Sequence, residues 1–247
     1  MIVRLLLPIC ILVVPALAQS QSPTQAALSF YQELRARRYV EGFRHSVYRK
    51  AVEGLSAEEL KDLEPDFLRT FSQIPDKIEP TGEKIDGDAA IVSLKFGAEE
   101  VQSVALVRSG GEWLVGDRDT LDTVNHQGRA FFFNSRILVN EGEAYEMLQQ
   151  IIGAELIYAR KFEGKCANLE ELIKLGGVPA DLKDGTESGY KFDISLRPDR
   201  SAFYVTATPV VYAKTGRVSL YADINGIRGD DLKGKPAGPQ SPVYRLK

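Results

Sequence analysis

Two blocks of short β-type segments, each preceded by segments of helical periodicity, constrain the fold of this chain more than any other feature. In the first block, β-forming runs occupy residues 77–79, 89–96, 101–108 and 112–116, with Asp86-Gly87-Asp88 and Ser109-Gly110-Gly111 as turn signals. In the second block, such runs occupy residues 190–196, 203–212 and 218–222. Helices followed by antiparallel hairpins are typical of the α+β class. The sequence therefore predicts an α+β fold with two small domains, each with helices packed on an antiparallel sheet.

The first eighteen residues predict a secretory signal peptide. Arg4 is followed by an uncharged apolar run over residues 5–18, which closes on Ala16-Leu17-Ala18. A positive start, an apolar run and a small-x-small cleavage site are the ordered parts of such a peptide. We expect cleavage after Ala18 and a periplasmic or secreted protein, with no stable membrane span after cleavage. The alternative is an uncleaved anchor, although the run is shorter than the roughly 20 residues that a spanning helix needs.

The pattern of the remaining chain sets the domain boundaries. We predict a first domain over residues 22–119, a linker over 120–139, a second domain over 140–229 and a polar C-terminal tail over 230–247. The linker is expected to be irregular, because it contains Asn125-His126-Gln127-Gly128 and then Phe131-Phe132-Phe133. The alternative for the three phenylalanines is a partner-binding or membrane-touching segment.

A capping pattern marks a helix start in the first domain. Ser56 is followed three residues later by Glu59, the arrangement of a capping box. We expect Pro65 to interrupt this helix and to occupy the first turn of a further short helix.

Similar patterns mark the helices of the second domain. Asn140 with Glu143 predicts the start of its first helix, and Asn168 with Glu171 predicts the start of the next. Pro209 lies inside the run 203–212 and has no N–H to donate to a ladder. That strand is therefore expected at a sheet edge or with a bulge.

The first domain resembles the cone-shaped fold of the nuclear-transport-factor-two-like superfamily, particularly its small exported bacterial members. The resemblance covers residues 22–119 and depends on an opening helix with Ala26-Ala27-x-x-Phe30-Tyr31 and a closing strand with Gly111-Glu112-Trp113-Leu114-Val115. Cone folds of this superfamily enclose a pocket, and the resemblance implies one here. Its open end is expected to carry the following candidates: Tyr31, His45, Tyr48 and Asp117.

The second domain resembles the globular part of type IV pilin-like proteins and type II secretion pseudopilins. The resemblance runs over residues 140–229, from the helix at Asn140 through Gly189-Tyr190-Lys191-Phe192 and Lys214-Thr215-Gly216-Arg217 to Asn225-Gly226. The long apolar helix through which pilins assemble is not expected in this chain, so the resemblance implies the fold without filament assembly. Some pseudopilins bind calcium late in this domain, which makes the acidic cluster Asp223, Asp230 and Asp231 a calcium candidate against a solvated acidic run.

Composition and motifs offer little support for catalysis. The formal net charge is −3 with both signs interspersed, so no nucleic-acid partner is expected. The chain has two histidines, and Cys166 is its one cysteine outside the signal segment, expected to be buried or idle. We find no phosphate-binding, serine-nucleophile or dinucleotide motif, and we expect no cofactor, metal or catalytic residue.

These observations favour an exported, non-catalytic interaction or accessory module with an unidentified protein partner. Two alternatives stay open. The first is a small-molecule-binding or enzymatic cone domain. The second is an accessory component of a type II secretion or type IV pilus-like system, for which only fold-level analogy speaks.

Overall fold

A computed structural model describes residues 21–98 and 101–246 of the chain. The predicted signal peptide at residues 1–18 lies outside the described residues. The described residues divide into two compact units, one within residues 21–50 and 70–126 and the other within residues 51–69 and 127–246. Each contains helices and an antiparallel sheet, which confirms the predicted α+β class. Over the described ranges, no helix has both the length and the apolar character needed to cross a membrane.

The helices and strands of the described residues are as follows. The helices are α1 (Pro23–Arg35), α2 (Tyr39–Arg44), α3 (Arg49–Val52), α4 (Ala57–Phe71), α5 (Arg118–Gln127), α6 (Phe131–Lys161) and α7 (Leu169–Lys174). The strands are β1 (Ile78–Asp86), β2 (Ala89–Phe96), β3 (Val101–Ser109), β4 (Glu112–Val115), β5 (Thr186–Glu187), β6 (Tyr190–Leu196), β7 (Phe203–Pro209), β8 (Ser219–Asp223) and β9 (Gly226–Asp230).

The first unit packs α1 against a four-stranded sheet of order β1-β2-β3-β4. A capping box of Ser22 and Gln25 begins α1. Every second residue of β2 is buried, as expected for a strand with one face toward a core. Trp113 on β4 is buried in that core. The closing turn requires a glycine, because Gly116 has φ +126° and a Cβ there would lie 2.4 Å from Val47 Cγ2.

The predicted capping box at Ser56 and Glu59 is confirmed, but the predicted break at Pro65 is wrong. The Glu59 N–H donates to Ser56 Oγ at 3.2 Å, and the Ser56 N–H donates to Glu59 Oε2 at 2.7 Å. Helix α4 continues through Pro65 to Phe71. Pro65 lies on the exposed side of the helix, where water can solvate the carbonyl that loses its N–H partner.

The prediction of an irregular linker over 120–139 is also wrong, because this stretch is helical. Residues 118–127 form α5, and α6 begins at Phe131 and continues for 31 residues to Lys161. Asn140 is therefore not the residue that caps a helix start. It is buried inside α6, and its Nδ2 donates to Thr215 O at 2.9 Å.

Helix α6 packs on the five-stranded sheet of the second unit, of order β5-β6-β7-β8-β9. One stripe of α6 is buried at alternating spacings of four and three residues, at positions 137, 141, 144, 148, 151, 155 and 158. The predicted capping box of Asn168 and Glu171 begins α7. Strand β7 is central in the sheet and ends at Pro209, so the prediction of an edge or bulged strand is wrong.

Candidate functional site

Tyr31 lines a cleft in the first unit. The cleft has a volume of about 560 Å³ and is formed by α1, the end of α4 and the ends of β2 and β3. The rings of Tyr31 and Phe96 lie edge to face, with their centroids 5.0 Å apart. Phe71, Gln73 and Gln102 also line the cleft. Burial raises the pKa of the Tyr31 hydroxyl, which keeps it neutral and able to donate a hydrogen bond.

The other three predicted pocket residues do not line this cleft. His45 follows α2, and its carbonyl accepts the Val115 N–H at 2.9 Å. Asp117 directly precedes α5 and accepts the Thr120 N–H at 2.7 Å, which with the Thr120 hydroxyl lowers the pKa of this carboxyl. Burial, and then the charge of Asp117, raises the pKa of Tyr48. Tyr31 therefore lines the cleft without the other three candidates. His45 and Asp117 lie near the end of β4, where each accepts a backbone hydrogen bond.

The structure does not gather the predicted calcium candidates. Asp223 lies at the start of the β8–β9 turn, where its Oδ1 accepts the Asn225 N–H at 2.7 Å. Asp230 lies at the far end of β9, four residues beyond Gly226, which is about 13 Å along an extended strand. Asp231 accepts from Lys233 Nζ at 3.1 Å, and this hydrogen bond lowers its pKa. Within residues 21–98 and 101–246, no group of three His, Cys, Asp or Glu side chains could hold a metal ion.

Cys166 is buried, as predicted, and lies beside an unexpected buried carboxyl group. Glu155 on α6 is 1 % exposed, and its Oε2 accepts the Ala167 N–H at 2.9 Å. Its Oε1 is buried and has no hydrogen-bond partner in the described part of the chain. Burial raises the pKa of Glu155 to about 7, and it also raises the pKa of the Cys166 thiol, to which the charge of Glu155 adds. A thiol with a raised pKa is a poor nucleophile.

Sequence reasoning missed Glu155, although the sequence contains a signal for it. The buried stripe of α6 places residues 137, 144, 148, 151 and 158 against the sheet, and two glutamates occur at the same spacing. A carboxyl group in an apolar stripe predicts either a set of buried hydrogen bonds or a shifted pKa. The helix predicted from Asn140 includes Glu155, but apolar residues also occur on its exposed face, at Leu156 and Ile157. The sequence therefore does not single out the stripe that contains Glu155.

The second unit contains a larger groove, of about 830 Å³, beside β6. Leu169 and Ile173 of α7 form one wall, and Phe192 and Ile194 of β6 form the opposite wall. The groove also has charged side chains, but Glu170 pairs with Lys174 at 2.7 Å and Lys191 with Asp193 at 3.7 Å. These pairs neutralise part of the charge in the groove. Its apolar side chains are the partly buried Leu169, Ile173 and Ile194, because Phe192 is 2 % exposed and belongs to the core.

One edge of β6 in this groove is open. The Phe192 N–H donates to Gly185 O on the β5 side, and the Arg197 N–H donates to Ala202 O on the β7 side. Alternate residues of a strand direct their backbone groups to the same side, so Ile194 and Leu196 point to the β5 side. Strand β5 pairs only with Tyr190 and Lys191. Within the described ranges, no hydrogen bond uses the backbone groups of Ile194 or Leu196.

No protein-family model, no curated protein and no solved structure was found to match this chain. The resemblances to cone-fold domains and to pilin-like domains therefore stay predictions, as do export and the absence of catalysis. Function must be argued from the site geometry alone.

Proposed function

We propose that this protein is an exported, non-catalytic interaction module that binds an extended segment of a partner protein along the open edge of β6. The observation that carries the proposal is the unpaired backbone edge of β6 at Ile194, which lines the groove, and at Leu196, where the strand ends. An extended peptide supplies alternating N–H and C=O groups that match such an edge, in the manner of strand addition.

The two edges of the first sheet are protected against further strand pairing, which supports this proposal. The outer edge of β1 has Pro80 and a bulge between Pro80 and Gly82, which oppose further pairing. The edge of β4 is covered by residues 45–47, since the Val47 N–H donates to Val115 O at 2.9 Å. No proline or bulge interrupts β6, and over the described residues its β5 side is open beyond Phe192.

A backbone pairing within the chain, at the opposite edge of the same sheet, supports the proposal. There the C-terminal segment is extended, and the Gly229 N–H donates to Pro242 O at 2.9 Å while the Tyr244 N–H donates to Ile227 O at 3.1 Å. The predicted polar tail thus adds to β9 through backbone pairing. We infer that the occupant of the β6 edge is an extended segment with apolar side chains at alternate positions, which would face Leu169 and Ile173.

The test is to select short random peptides from a displayed library on the purified protein and to measure their affinity for two variants. Ile194→Pro removes the outward N–H but leaves the bonds of Asp193 and Ser195 to β7, so the fold should tolerate it. We expect Ile194→Pro to weaken binding by about tenfold or more, since it removes a backbone hydrogen bond and blocks close approach. The matched control Ile194→Val keeps the N–H and should bind like the wild type.

A second measurement needs no variant. Hydrogen exchange at the Ile194 and Leu196 amides should slow when the selected peptide binds, because both amides enter a ladder. Peptides that bind equally well to Ile194→Pro, or that leave these amides unprotected, would locate binding elsewhere and contradict the proposal.

A second candidate function is small-molecule binding in the cleft of the first unit. Its volume of about 560 Å³ and its aromatic and amide side chains are typical of ligand sites. A thermal-shift screen of a small-molecule library tests this function. A ligand whose stabilising effect is lost in Tyr31→Ala and Gln102→Ala, and kept in Ile194→Pro, would support it.

A further inference from the structure

Two glutamates of α6 occupy buried positions of the same stripe, but their surroundings differ. The Glu141 carboxylate accepts two backbone N–H groups, from Arg217 at 2.9 Å and from Val218 at 3.1 Å. Glu155 accepts one, from Ala167, and its second oxygen is buried without a partner in the described ranges. A buried carboxylate with an unsatisfied oxygen is costly, whereas a neutral carboxyl group costs less.

The charged and titratable groups around Glu155 come from three other elements and from α6 itself. They are Cys166 in the connection to α7, Glu171 in α7, Arg200 in the β6–β7 turn and Tyr158 one turn further along α6. Arg200 is the one cation of this group, and it donates to Glu171 and, through Nε at 2.8 Å, to Cys166 O. Among the described residues, it forms no ion pair with Glu155. Burial raises the pKa of Glu155 and outweighs the Ala167 hydrogen bond and the charge of Arg200, which both lower it, while the charge of Glu171 raises it further.

The Glu155 contact adds to the capping box and to the Cys166–Arg200 hydrogen bonds that hold the start of α7. Ala167, whose N–H reaches Glu155, immediately precedes Asn168, the N-terminal cap of α7. Leu169 and Ile173 on α7 form one wall of the groove beside β6. The protonation state of Glu155 can thus affect the groove, because Glu155 accepts the Ala167 N–H and α7, which begins two residues later, forms a wall of the groove.

We propose that Glu155 is a pH-sensitive switch which, when protonated, holds the start of α7 against α6 and, when ionised, releases it and so opens one wall of the groove. On ionisation the proton passes to solvent, and the carboxylate that remains needs donors that the closed arrangement does not provide. Separation of residues 166–168 from α6 admits water to both oxygens. The switch itself needs no ligand, and only its effect on peptide binding rests on the proposed function. The pKa of about 7 places this change near neutral pH.

The experiment measures backbone hydrogen exchange of the full chain without any peptide, corrected for the intrinsic pH dependence of exchange. Exchange at the amides of residues 167–172 should rise by about tenfold between about pH 6 and about pH 8, since opening is linked to loss of one proton. In Glu155→Gln, which keeps the size of the side chain and an acceptor for the Ala167 N–H, the same amides should show no such rise. Amides of the central strand β7 provide the reference.

The matched control is Glu141→Gln, the other buried glutamate of the stripe. This variant should keep the pH-dependent exchange at residues 167–172, because it leaves Glu155 unchanged. Exchange at these amides that does not depend on pH in the wild type, or that rises equally in Glu155→Gln, overturns the proposal. If Glu155→Gln does not fold, the side-chain carboxyl ¹³C shift of Glu155 is titrated in the wild type, and a midpoint near that of an exposed glutamate overturns it.

The two proposals fail separately in these tests. If no selected peptide binds at the β6 edge while exchange at residues 167–172 still switches, then the proposed function is wrong and the switch stands. If peptides bind at the edge with the same affinity at about pH 6 and about pH 8 and exchange does not change, then the switch is wrong and the function stands.

Discussion

Burial and hydrogen bonding determine the chemical state of the individual side chains in this protein. Cys166 is buried as predicted, and Trp113 is buried as well, because a lone thiol and an aromatic ring in a short closing strand both favour a core. Tyr31 lines a cleft as predicted, whereas His45 and Asp117 have other contacts. The contact of His45 with Val115 joins residues far apart in the sequence, so residue type alone could not predict it, whereas Asp117 and Thr120 are only three residues apart.

The pH dependence of stability is the prediction at this scale. Glu155 has a pKa of about 7 in the folded protein against 4.5 for an exposed glutamate, so the folded state binds the proton more tightly. The stabilisation that comes from this tighter proton binding is fully present below pH 4.5. It decreases as the pH rises to about 7, and above that pH the stability no longer changes through this group. The loss should be about 3 kcal/mol in unfolding free energy.

The measurement is chemical denaturation of wild type and Glu155→Gln over a series of pH values. The difference in unfolding free energy between them should shift by this amount from acid to neutral pH, in favour of Glu155→Gln at the higher pH. Glu146→Gln, at an exposed position of the same helix, is the control and should follow the wild type. A difference that stays constant over this range would show that Glu155 titrates normally.

At the scale of elements, strands and turns were predicted better than long helices. Strands β2 and β6 have the predicted bounds, because alternating burial and flanking turn residues are local signals. Helix α6 was missed over its first nine residues, since Asn140 favours a helix start by itself. The tertiary contact of Asn140 with Thr215 overrides that local preference.

The prediction at this scale concerns the contact between α6 and the segment before β8. Glu141→Ala removes the acceptor of the Arg217 and Val218 N–H groups and leaves both without a partner in a partly buried site. We expect a loss of about 2–4 kcal/mol in unfolding free energy, the cost of two unsatisfied donors. Glu146→Ala, on the exposed face of α6, should change stability by less than about 0.5 kcal/mol. Thermal or urea unfolding of both variants measures the difference, and equal effects would mean that the carboxylate contributes nothing to this contact.

At the scale of the whole molecule, the α+β class could be predicted, but the composition of each unit could not. Residues 51–69 belong to the second unit although they lie within the stretch assigned to the first domain. One reason is Arg136, largely buried, which pairs with Asp62 at 3.2 Å and with Asp66 at 2.7 Å. Such pairs join residues about 70 positions apart, and no local pattern indicates them. The groove beside β6 was missed for a similar reason, because it depends on where β5 ends.

Export is the prediction that belongs to the whole chain. The apolar run and the Ala16-Leu17-Ala18 site predict that protein recovered from the periplasm or medium of a bacterial host begins at Gln19. Such a start leaves α1 intact, because its cap, Ser22, lies beyond the cleavage site. N-terminal sequencing and intact mass measure the start. Ala18→Asp is the matched variant, since a signal peptidase requires a small residue there, and it should accumulate uncleaved with the cell membrane. Recovery of Met1 in wild-type protein held in the membrane would instead identify these residues as an anchor.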